Sequence, residues 1–328
     1  MGRRNNGPLA RLAGLAVLSL AACSAMSGST TEELRFEARA VYDFADFAAG
    51  RGEPAPVEGR LYLPEEGPLR GAAILSHGAA GPGARQSRMA AVLAENGVAA
   101  LLLDHFGPRG VGSVAREQLR VPEQTMIADI LAARDLLADR LALAPERIGA
   151  IGWSKGATAV TLAAVARLSG FAAPEGPPLG FAAAFYPFCG FALDKDALGT
   201  PLLLLLGEDD DWTPAGPCLR QAEAWKMRGQ PVRWEIYEDA EHGFDSRARP
   251  GRSDRVITVR DTSPRCTLTV DTNGRTLTLD GTHSLTSPEG RAAFLGDCGV
   301  RGAGFAGNAA ARAASREGLL AFIDDVLR

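Results

Sequence analysis

The sequence is poor in the residues on which several classes of function depend. It has only four histidines and five cysteines, without a Cys-x-x-Cys pair or a histidine cluster, so a metal site is not expected. It lacks a basic stripe with interleaved aromatic residues and has a net charge of −4, so nucleic acid is not an expected partner. The scarcity of histidine also means that any catalytic imidazole must come from a very short set of candidates.

Apolar segments long enough to span a membrane are absent as well. The apolar run at residues 12–20 follows a pair of arginines and is too short for a spanning helix, as in a signal peptide. It ends in Leu-Ala-Ala-Cys23, which resembles the lipobox of bacterial lipoproteins. We therefore expect a signal over residues 1–23, lipidation of Cys23, a tether over residues 24–32, and an outer-membrane anchor facing the periplasm. An ordinary cleaved signal with a cysteine there by chance is the alternative.

The rest of the chain alternates between strand and helix patterns. Apolar residues make up 46% of the composition, which suits one large domain over residues 33–328. Short apolar runs such as residues 72–76 and 201–206 alternate with helical segments. This alternation predicts an α/β fold with a mostly parallel central sheet and helices on both faces.

The most informative motif is Gly152-Trp153-Ser154-Lys155-Gly156. It lies between a short buried strand pattern and a helix that begins with small residues, which is the setting of a nucleophile elbow. The flanking glycines leave room for strand and helix to pass closely, and the serine is placed on a strained turn. We predict that Ser154 is a nucleophile; the alternative is a serine that merely caps the helix.

A serine nucleophile needs a base and an orienting acid, which in this fold class follow it in the order acid, then histidine. His242 follows a strand pattern and is the favoured base, whereas His283 lies in a polar segment and is the weaker choice. Four adjacent acidic residues follow the apolar run that ends at residue 206. We predict Asp210 as the acid, with Asp211 next; the alternative is a solvated acidic turn in which Asp211 caps the next helix.

Catalysis by a serine also needs N–H donors for the negative charge that develops on the substrate oxygen. The backbone N–H of Lys155, directly after the serine, is one candidate. The second is expected from the Gly-rich loop at residues 77–83, where we choose Ala79. The alternative for this loop is an ordinary turn.

Together and in this order, these segments resemble the dienelactone hydrolase family of α/β-hydrolases. The segments are His77-Gly78, residues 104–110, the elbow at 152–156, residues 207–214 and residues 241–244. The resemblance covers roughly residues 55–245 and the last helix, and it implies an eight-stranded, mostly parallel sheet and hydrolysis of esters or lactones without a cofactor. Dienelactone hydrolases carry cysteine as the nucleophile, so Ser154 points to a serine esterase of that fold rather than to the dienelactone substrate.

Residues 246–305 interrupt the alternation of strands and helices. Two alternating segments flank Asn273-Gly274, which is a strong signal for a β-hairpin. Because this insert follows the predicted catalytic histidine, we expect it near the active-site edge, where it shapes the substrate site as a lid or is merely decoration.

Four cysteines remain after Cys23, an even number in an oxidising compartment, and they allow three pairings. Cys189 and Cys218 follow strands that we expect to be neighbours in the sheet, and Cys266 and Cys298 both lie in the insert. We predict disulfides between Cys189 and Cys218, which would hold the acidic loop, and between Cys266 and Cys298, which would close the insert.

Three residues near the elbow are weaker candidates for substrate binding. His105 and Arg109 follow another strand on the same edge, and Arg109 could hold a substrate carboxylate, although pairing with a nearby acid is the favoured alternative. Trp153 either lines the pocket or packs in the core.

The sequence thus predicts an exported, lipid-anchored serine hydrolase whose partner is a small-molecule ester or lactone. Two alternatives stay open. One is a peptidase of the same superfamily, which the lack of a propeller-sized extra domain disfavours. The other is a non-catalytic envelope lipoprotein that uses the fold for binding.

Overall fold

The computed structural model describes residues 29–115 and 120–328. The predicted signal, Cys23 and most of the predicted tether lie outside the described residues. The first strand begins at Ser29 and pairs with Pro64 at that point, so the last four tether residues belong to the sheet. None of the helices in the two described ranges is long and apolar enough to cross a membrane.

One eight-stranded sheet forms the centre of the molecule, with the strand order β1-β2-β4-β3-β5-β6-β7-β8. Its strands are β1 (Ser29–Ala40), β2 (Glu53–Pro64), β3 (Gly71–Ser76), β4 (Val98–Asp104), β5 (Ile148–Trp153), β6 (Ala182–Phe185), β7 (Leu202–Gly207) and β8 (Val232–Tyr237). β2 pairs antiparallel with β1 and β4, and the six strands in the order β4-β3-β5-β6-β7-β8 pair in parallel. The expected mostly parallel sheet is therefore confirmed, and its antiparallel pairs are the two that β2 makes.

Helices cover both faces of this sheet. They are α1 (Phe44–Ala48), α2 (Ala84–Glu95), α3 (Glu123–Leu141), α4 (Lys155–Ala164), α5 (Ala166–Ala172), α6 (Ala215–Met227), α7 (Pro288–Cys298) and α8 (Ala309–Val326). α3, α4 and α6 contribute to one apolar core, and α2 and α8 contribute to the other. Successive residues of β7 alternate between the two cores, because side chains of a strand alternate between its faces.

One predicted helix is wrong in its extent. The sequence predicts a single helix over residues 155–169, but the structure has two helices that meet at Val165. Val165 is extended, with φ −81° and ψ 117°, and forms a β-bridge with Leu198. This bridge takes the backbone out of the helical conformation.

The late insert contains the predicted hairpin and two strands that the sequence analysis missed. Its strands are β9 (Gly251–Val259), β10 (Leu268–Val270), β11 (Thr276–Thr278) and β12 (Gly299–Phe305). β10 and β11 pair around the predicted turn, where Gly274 has a φ of +80° that favours glycine. β9 and β12 form a separate antiparallel pair.

Both predicted disulfides are present. Cys189 is bonded to Cys218, and Cys266 is bonded to Cys298. The first joins the loop after β6 to α6, since β6 and β7 are neighbours as expected. The second joins the segment before β10 to the end of α7, and so closes the insert.

Candidate active site

Ser154 lies on the sharp turn between β5 and α4. Its φ of +52° and ψ of −118° are rare for a residue other than glycine, as expected at a nucleophile elbow. The turn requires glycine on both sides. A Cβ on Gly156 would lie 2.2 Å from the Ser76 carbonyl oxygen, and one on Gly152 would lie 2.4 Å from the Gly156 carbonyl oxygen.

The structure brings Ser154, His242 and Asp210 together at the carboxyl ends of β5, β8 and β7. Ser154 Oγ is 3.0 Å from His242 Nε2, and His242 Nδ1 is 2.8 Å from Asp210 Oδ2. Both distances are within hydrogen-bond reach, and together they form a row that can pass a proton from the hydroxyl to the imidazole. The three residues are 56 and 32 positions apart along the chain, so only the fold brings them together.

The Asp210 carboxylate is held by its own loop. Its Oδ1 accepts hydrogen bonds from the backbone N–H groups of Trp212 and Thr213, each at 2.8 Å. The Thr213 hydroxyl lies 3.0 Å from Oδ2. Asp210 is only 4% exposed, so these bonds stabilise a buried negative charge beside the imidazole.

Asp211, the second choice for the acid, faces the insert instead. Its carboxylate accepts hydrogen bonds from the Gly304 N–H at 2.6 Å, from Arg252 at 3.0 Å and from Arg260 at 3.2 Å. Partial burial raises the pKa of Asp211, but the Gly304 amide and the two guanidinium groups more than offset this and leave it below its usual range. The helix after the loop begins behind Pro214, so Asp211 does not cap it.

His283, the weaker histidine candidate, lies in the insert beside Asp297. Its Nε2 is 3.1 Å from the Asp297 carboxylate. The structure therefore places this imidazole in the insert, while His242 occupies the position next to Ser154.

Two aromatic rings pack against the His242 imidazole, a role that the sequence does not predict for either residue. The Trp212 and Tyr186 ring centroids each lie 4.6 Å from that of His242. Tyr186 has a φ of +44°, and its hydroxyl lies 2.6 Å from the Asp245 carboxylate. A positive φ in a bulky residue at a strand end is the local sign of a special position, but it is visible only in the structure.

The loop after β3 approaches the elbow where the second N–H donor was predicted. A Cβ on Gly78 would lie 3.3 Å from the Ser154 Cβ, so this loop passes directly beside the nucleophile. Ala79 follows Gly78, and Lys155 is the first residue of α4, whose N–H has no acceptor within the helix. The two predicted amides thus belong to the segments that lie next to Ser154.

His77 orients the peptide group that carries the Ala79 N–H. Its Nδ1 donates to the Gly78 carbonyl oxygen at 2.8 Å, and its Nε2 accepts from the His105 N–H at 3.1 Å, which fixes the tautomer. The Gly78 carbonyl and the Ala79 N–H belong to one trans peptide and point in opposite directions. A bond that holds the carbonyl therefore also fixes the direction of the amide.

His77 stays uncharged over the physiological range. Its side chain is fully buried, and burial together with the neighbouring His105 lowers the pKa of His77 to about 3. A neutral imidazole keeps one donor and one acceptor, as the two hydrogen bonds of His77 require.

The structure does not bring His105, Arg109 or Trp153 to the substrate site, which corrects the expectation for these three residues. His105 is fully buried, with Nε2 2.9 Å from Ser76 Oγ and Nδ1 2.8 Å from Asp129 Oδ2. Arg109 donates two hydrogen bonds of 2.8 Å to the same Asp129 carboxylate. It is therefore paired with a nearby acid, which was the alternative to binding a substrate carboxylate.

Trp153 packs in the core, which was also the alternative for this residue. It is fully buried, and its ring stacks on Phe185 with centroids 5.3 Å apart. Its Nε1 donates to the Asp245 carboxylate at 2.8 Å. Asp245 also accepts a hydrogen bond from Arg85, so it ties the elbow to the start of α2.

A cavity of about 850 Å³ borders Ser154 and extends under the insert. On the core side, the Lys155 ammonium lies 2.6 Å from the Glu123 carboxylate. Burial lowers the pKa of Lys155. Burial alone would raise the pKa of Glu123, but the Lys155 ammonium more than offsets this effect and keeps the pKa of Glu123 below its usual range. The residue after the nucleophile therefore contributes a paired charge to the cavity as well as a backbone donor.

Comparison with known proteins agrees with this architecture. The family model described as "Dienelactone hydrolase family" matches residues 57–262, which is more than half of the chain. No significant match was found among curated protein sequences.

Solved structures similar to this chain include three hydrolases. A putative dienelactone hydrolase from Klebsiella pneumoniae is 19% identical, with coverage of 65% of this chain and 89% of that chain and a TM-score of 0.45. A dienelactone hydrolase-like promiscuous phosphotriesterase from metagenomic libraries is 16% identical, with coverage of 65% and 85% and a TM-score of 0.47. Thermogutta terrifontis esterase 2, phosphorylated by paraoxon, is 21% identical, with coverage of 57% and 79% and a TM-score of 0.46. Because the family model matches more than half of the chain, the chain belongs to the dienelactone hydrolase family.

Proposed function

We propose that this hydrolase cleaves carboxylic esters or lactones through an acyl-enzyme formed on Ser154. The observation that carries the proposal is the hydrogen-bonded row from Ser154 Oγ to His242 Nε2 at 3.0 Å and from His242 Nδ1 to Asp210 at 2.8 Å. This row stands on a strained elbow at the edge of the cavity.

In the first step, Ser154 Oγ attacks the substrate carbonyl carbon while His242 Nε2 takes the hydroxyl proton. The carbonyl oxygen becomes an oxyanion, which accepts hydrogen bonds from the N–H groups of Lys155 and Ala79. The bond to the leaving alcohol then breaks, and His242 returns the proton to that alcohol. Asp210 keeps Nδ1 protonated and stabilises the imidazolium that forms between the two transfers.

In the second step, a water molecule attacks the acyl-enzyme. His242 accepts its proton, the same two amides hold the oxyanion, and the proton then passes to Ser154 Oγ as the carboxylic acid leaves. No cofactor enters either step. A hydroxyl is a weaker nucleophile than the thiolate of dienelactone hydrolases and depends on the base, so the proposal does not carry over the dienelactone substrate.

A covalent probe tests this proposal together with a turnover assay. We expect a fluorophosphonate probe to label the protein and p-nitrophenyl acetate to be hydrolysed, and both signals to disappear in Ser154→Ala. Ser169→Ala on α5 is the matched control and should keep both signals. Equal labelling and turnover in Ser154→Ala would remove the proposed nucleophile, and the absence of both in the unchanged protein would favour a binding protein.

We also propose that the protein is an envelope lipoprotein acylated on Cys23. The support is the apolar segment followed by Leu-Ala-Ala-Cys23 in the sequence. The full-length chain, produced in a Gram-negative host fed an alkyne fatty acid, should carry the label in the outer-membrane fraction, and Cys23→Ser should not. An unlabelled protein free in the periplasm would show an ordinary cleaved signal.

A further inference from the structure

The cavity beside Ser154 has a predominantly apolar wall that the insert provides. The large apolar side chains of the insert that line it are Ile257, Val259, Leu268, Leu285, Phe294 and Leu295. Phe188, Phe191 and Trp212 line it from the core side. At about 850 Å³, the cavity lies in the upper part of the range that encloses ligands of drug size. This space far exceeds what an acetyl or other short acyl group would fill.

The insert is anchored to the core at several points beside the cavity. The Thr258 hydroxyl donates to the Trp212 carbonyl oxygen. The Leu268 N–H donates to the Gly190 carbonyl oxygen at 2.7 Å, and its carbonyl oxygen accepts from Ala192 N–H, also at 2.7 Å. The Cys266–Cys298 disulfide closes the insert on itself. These contacts hold the insert against the core beside the cavity.

The charged groups that also line the cavity already have partners or lie at its rim. Lys155 is paired with Glu123 at 2.6 Å. Arg291 donates to the carbonyl oxygens of Leu285 at 2.9 Å and Tyr42 at 2.6 Å. Arg120 and Arg301 are exposed. The apolar wall is therefore the part of the lining that can contribute most to binding, because an apolar ligand would remove its surface from water.

We propose that the natural substrates are esters with a large apolar acyl or alcohol group, which lies against this wall while the ester carbonyl reacts at Ser154. This inference rests on the proposed esterase function and adds the substrate class to it. The insert, which follows the catalytic histidine in the chain, is then the determinant of specificity.

Burial of each additional methylene against such a wall should raise kcat/KM about fourfold, if the group is buried in the transition state. From acetate to octanoate, the rise should reach at least about 100-fold even with partial burial. A site for small substrates would instead lose activity as the chain lengthens.

Two substrate series test the inference and separate the acyl from the alcohol side. In the first, p-nitrophenyl esters run from acetate to octanoate below their solubility limits. In the second, acetate esters run from ethyl to octyl and are followed in a pH-stat. Both are measured on the unchanged protein and on Ile257→Gln and Leu295→Gln, whose side chains are partly exposed and so should tolerate the change. Val300→Gln, an exposed residue of β12 outside the cavity lining, is the matched control.

We expect kcat/KM to rise with chain length in at least one series. In that series, Ile257→Gln and Leu295→Gln should lower the ratio of octyl to short-chain kcat/KM at least fivefold, and Val300→Gln should leave it within twofold. Ser154-dependent acetate hydrolysis that falls or stays flat with length in both series would overturn this inference and leave the esterase proposal intact. A rise that neither wall variant reduces would also overturn it, and a lack of Ser154-dependent turnover of every ester would overturn both proposals.

Discussion

Two rows of serine, histidine and aspartate, hydrogen-bonded in the same order, lie in this molecule. The elbow row consists of Ser154, His242 and Asp210, and the buried row consists of Ser76, His105 and Asp129. The serine-to-histidine distances are 3.0 and 2.9 Å, and the histidine-to-aspartate distances are both 2.8 Å. Bond lengths alone therefore do not distinguish a catalytic row from a structural one.

Their surroundings do distinguish them. Ser154 stands on a strained turn beside the cavity, next to the two candidate oxyanion donors. Ser76 ends β3, is fully buried and does not line the cavity that borders Ser154. Asp129 also carries the Arg109 ion pair, so the buried row holds the ends of β3 and β4 against α3. The elbow row therefore differs from the buried row in its access for a substrate carbonyl and its N–H donors for the carbonyl oxygen, and not in its hydrogen bonds.

The largest expected effect is at the two serines. Ser154→Ala should lower kcat on p-nitrophenyl acetate about 10⁴-fold or more, because the nucleophile is lost. Ser76→Ala should leave kcat within about threefold but lower the free energy of unfolding by about 1–3 kcal/mol, since the buried His105 Nε2 loses its partner. Initial rates and urea unfolding of both variants test this. A large loss of kcat in folded Ser76→Ala would mean that the buried row takes part in the reaction.

Substitutions of the two aspartates should differ in the same way as those of the two serines, with one affecting kcat and the other affecting stability. Asp210→Asn should lower kcat about 10³- to 10⁴-fold with little loss of stability, because the amide favours the wrong tautomer of His242. Asp129→Asn should lower the free energy of unfolding by about 3 kcal/mol or more, because it leaves Arg109 buried without a carboxylate. Circular dichroism and active-site titration of the folded fraction separate the two losses. Equal kcat losses per folded molecule would contradict the assignment.

Local sequence patterns were sufficient for the elbow row but not for the buried row. Ser154 was predictable because Gly152 and Gly156 mark a close strand–helix passage, and the order of acid and histidine then selected the partners. The partner of His105 lies 24 residues away on α3, and only the packing of that helix under the sheet brings Asp129 to it. Spacing along the chain carries no signal for such a contact.

In the insert, too, local sequence patterns predict local structure but not contacts between distant segments. Its hairpin was predictable because Asn273-Gly274 fixes the turn locally. β9 and β12 were missed because β9 is mostly exposed or half-buried and lacks a clear alternation, and its partner begins 40 residues after it ends. The packing of Tyr186 and Trp212 on His242 was also out of reach, because it depends on the relative placement of three loops.

His77 connects the two rows and should give a smaller, pH-dependent effect. Its pKa of about 3 lies below the usual 6.5, so below pH 6.5 the unfolded chain takes up a proton that the native state does not. Stability is therefore complete above pH 6.5 and falls as the pH drops towards 3, by up to about 1.4 kcal/mol per pH unit from this group. Urea unfolding between pH 7.5 and 5 should show this slope, reduced in His77→Asn.

The same residue should also affect turnover through the Gly78–Ala79 peptide. His77→Ala removes the donor to the Gly78 carbonyl and should lower kcat about tenfold at pH 7.5. His77→Asn places an amide N–H near the position of Nδ1 and should recover part of that loss. Equal kcat for both variants would remove the orienting role, and an unchanged pH slope of stability in both would contradict the low pKa of His77.

The smallest effect should come from Asp211, the neighbour of the proposed acid. Its carboxylate binds Arg252, Arg260 and the Gly304 N–H, and its side chain is 39% exposed, so solvent and salt weaken these contacts. Asp211→Asn should keep kcat within about threefold and cost about 1 kcal/mol or less, and this cost should shrink in 0.5 M NaCl. A loss of kcat comparable with that of Asp210→Asn would instead assign the acid to Asp211. Because Asp210 and Asp211 are adjacent in the same acidic loop, comparing the two variants measures how far the fold, and not the acidic composition of the loop, selects the acid.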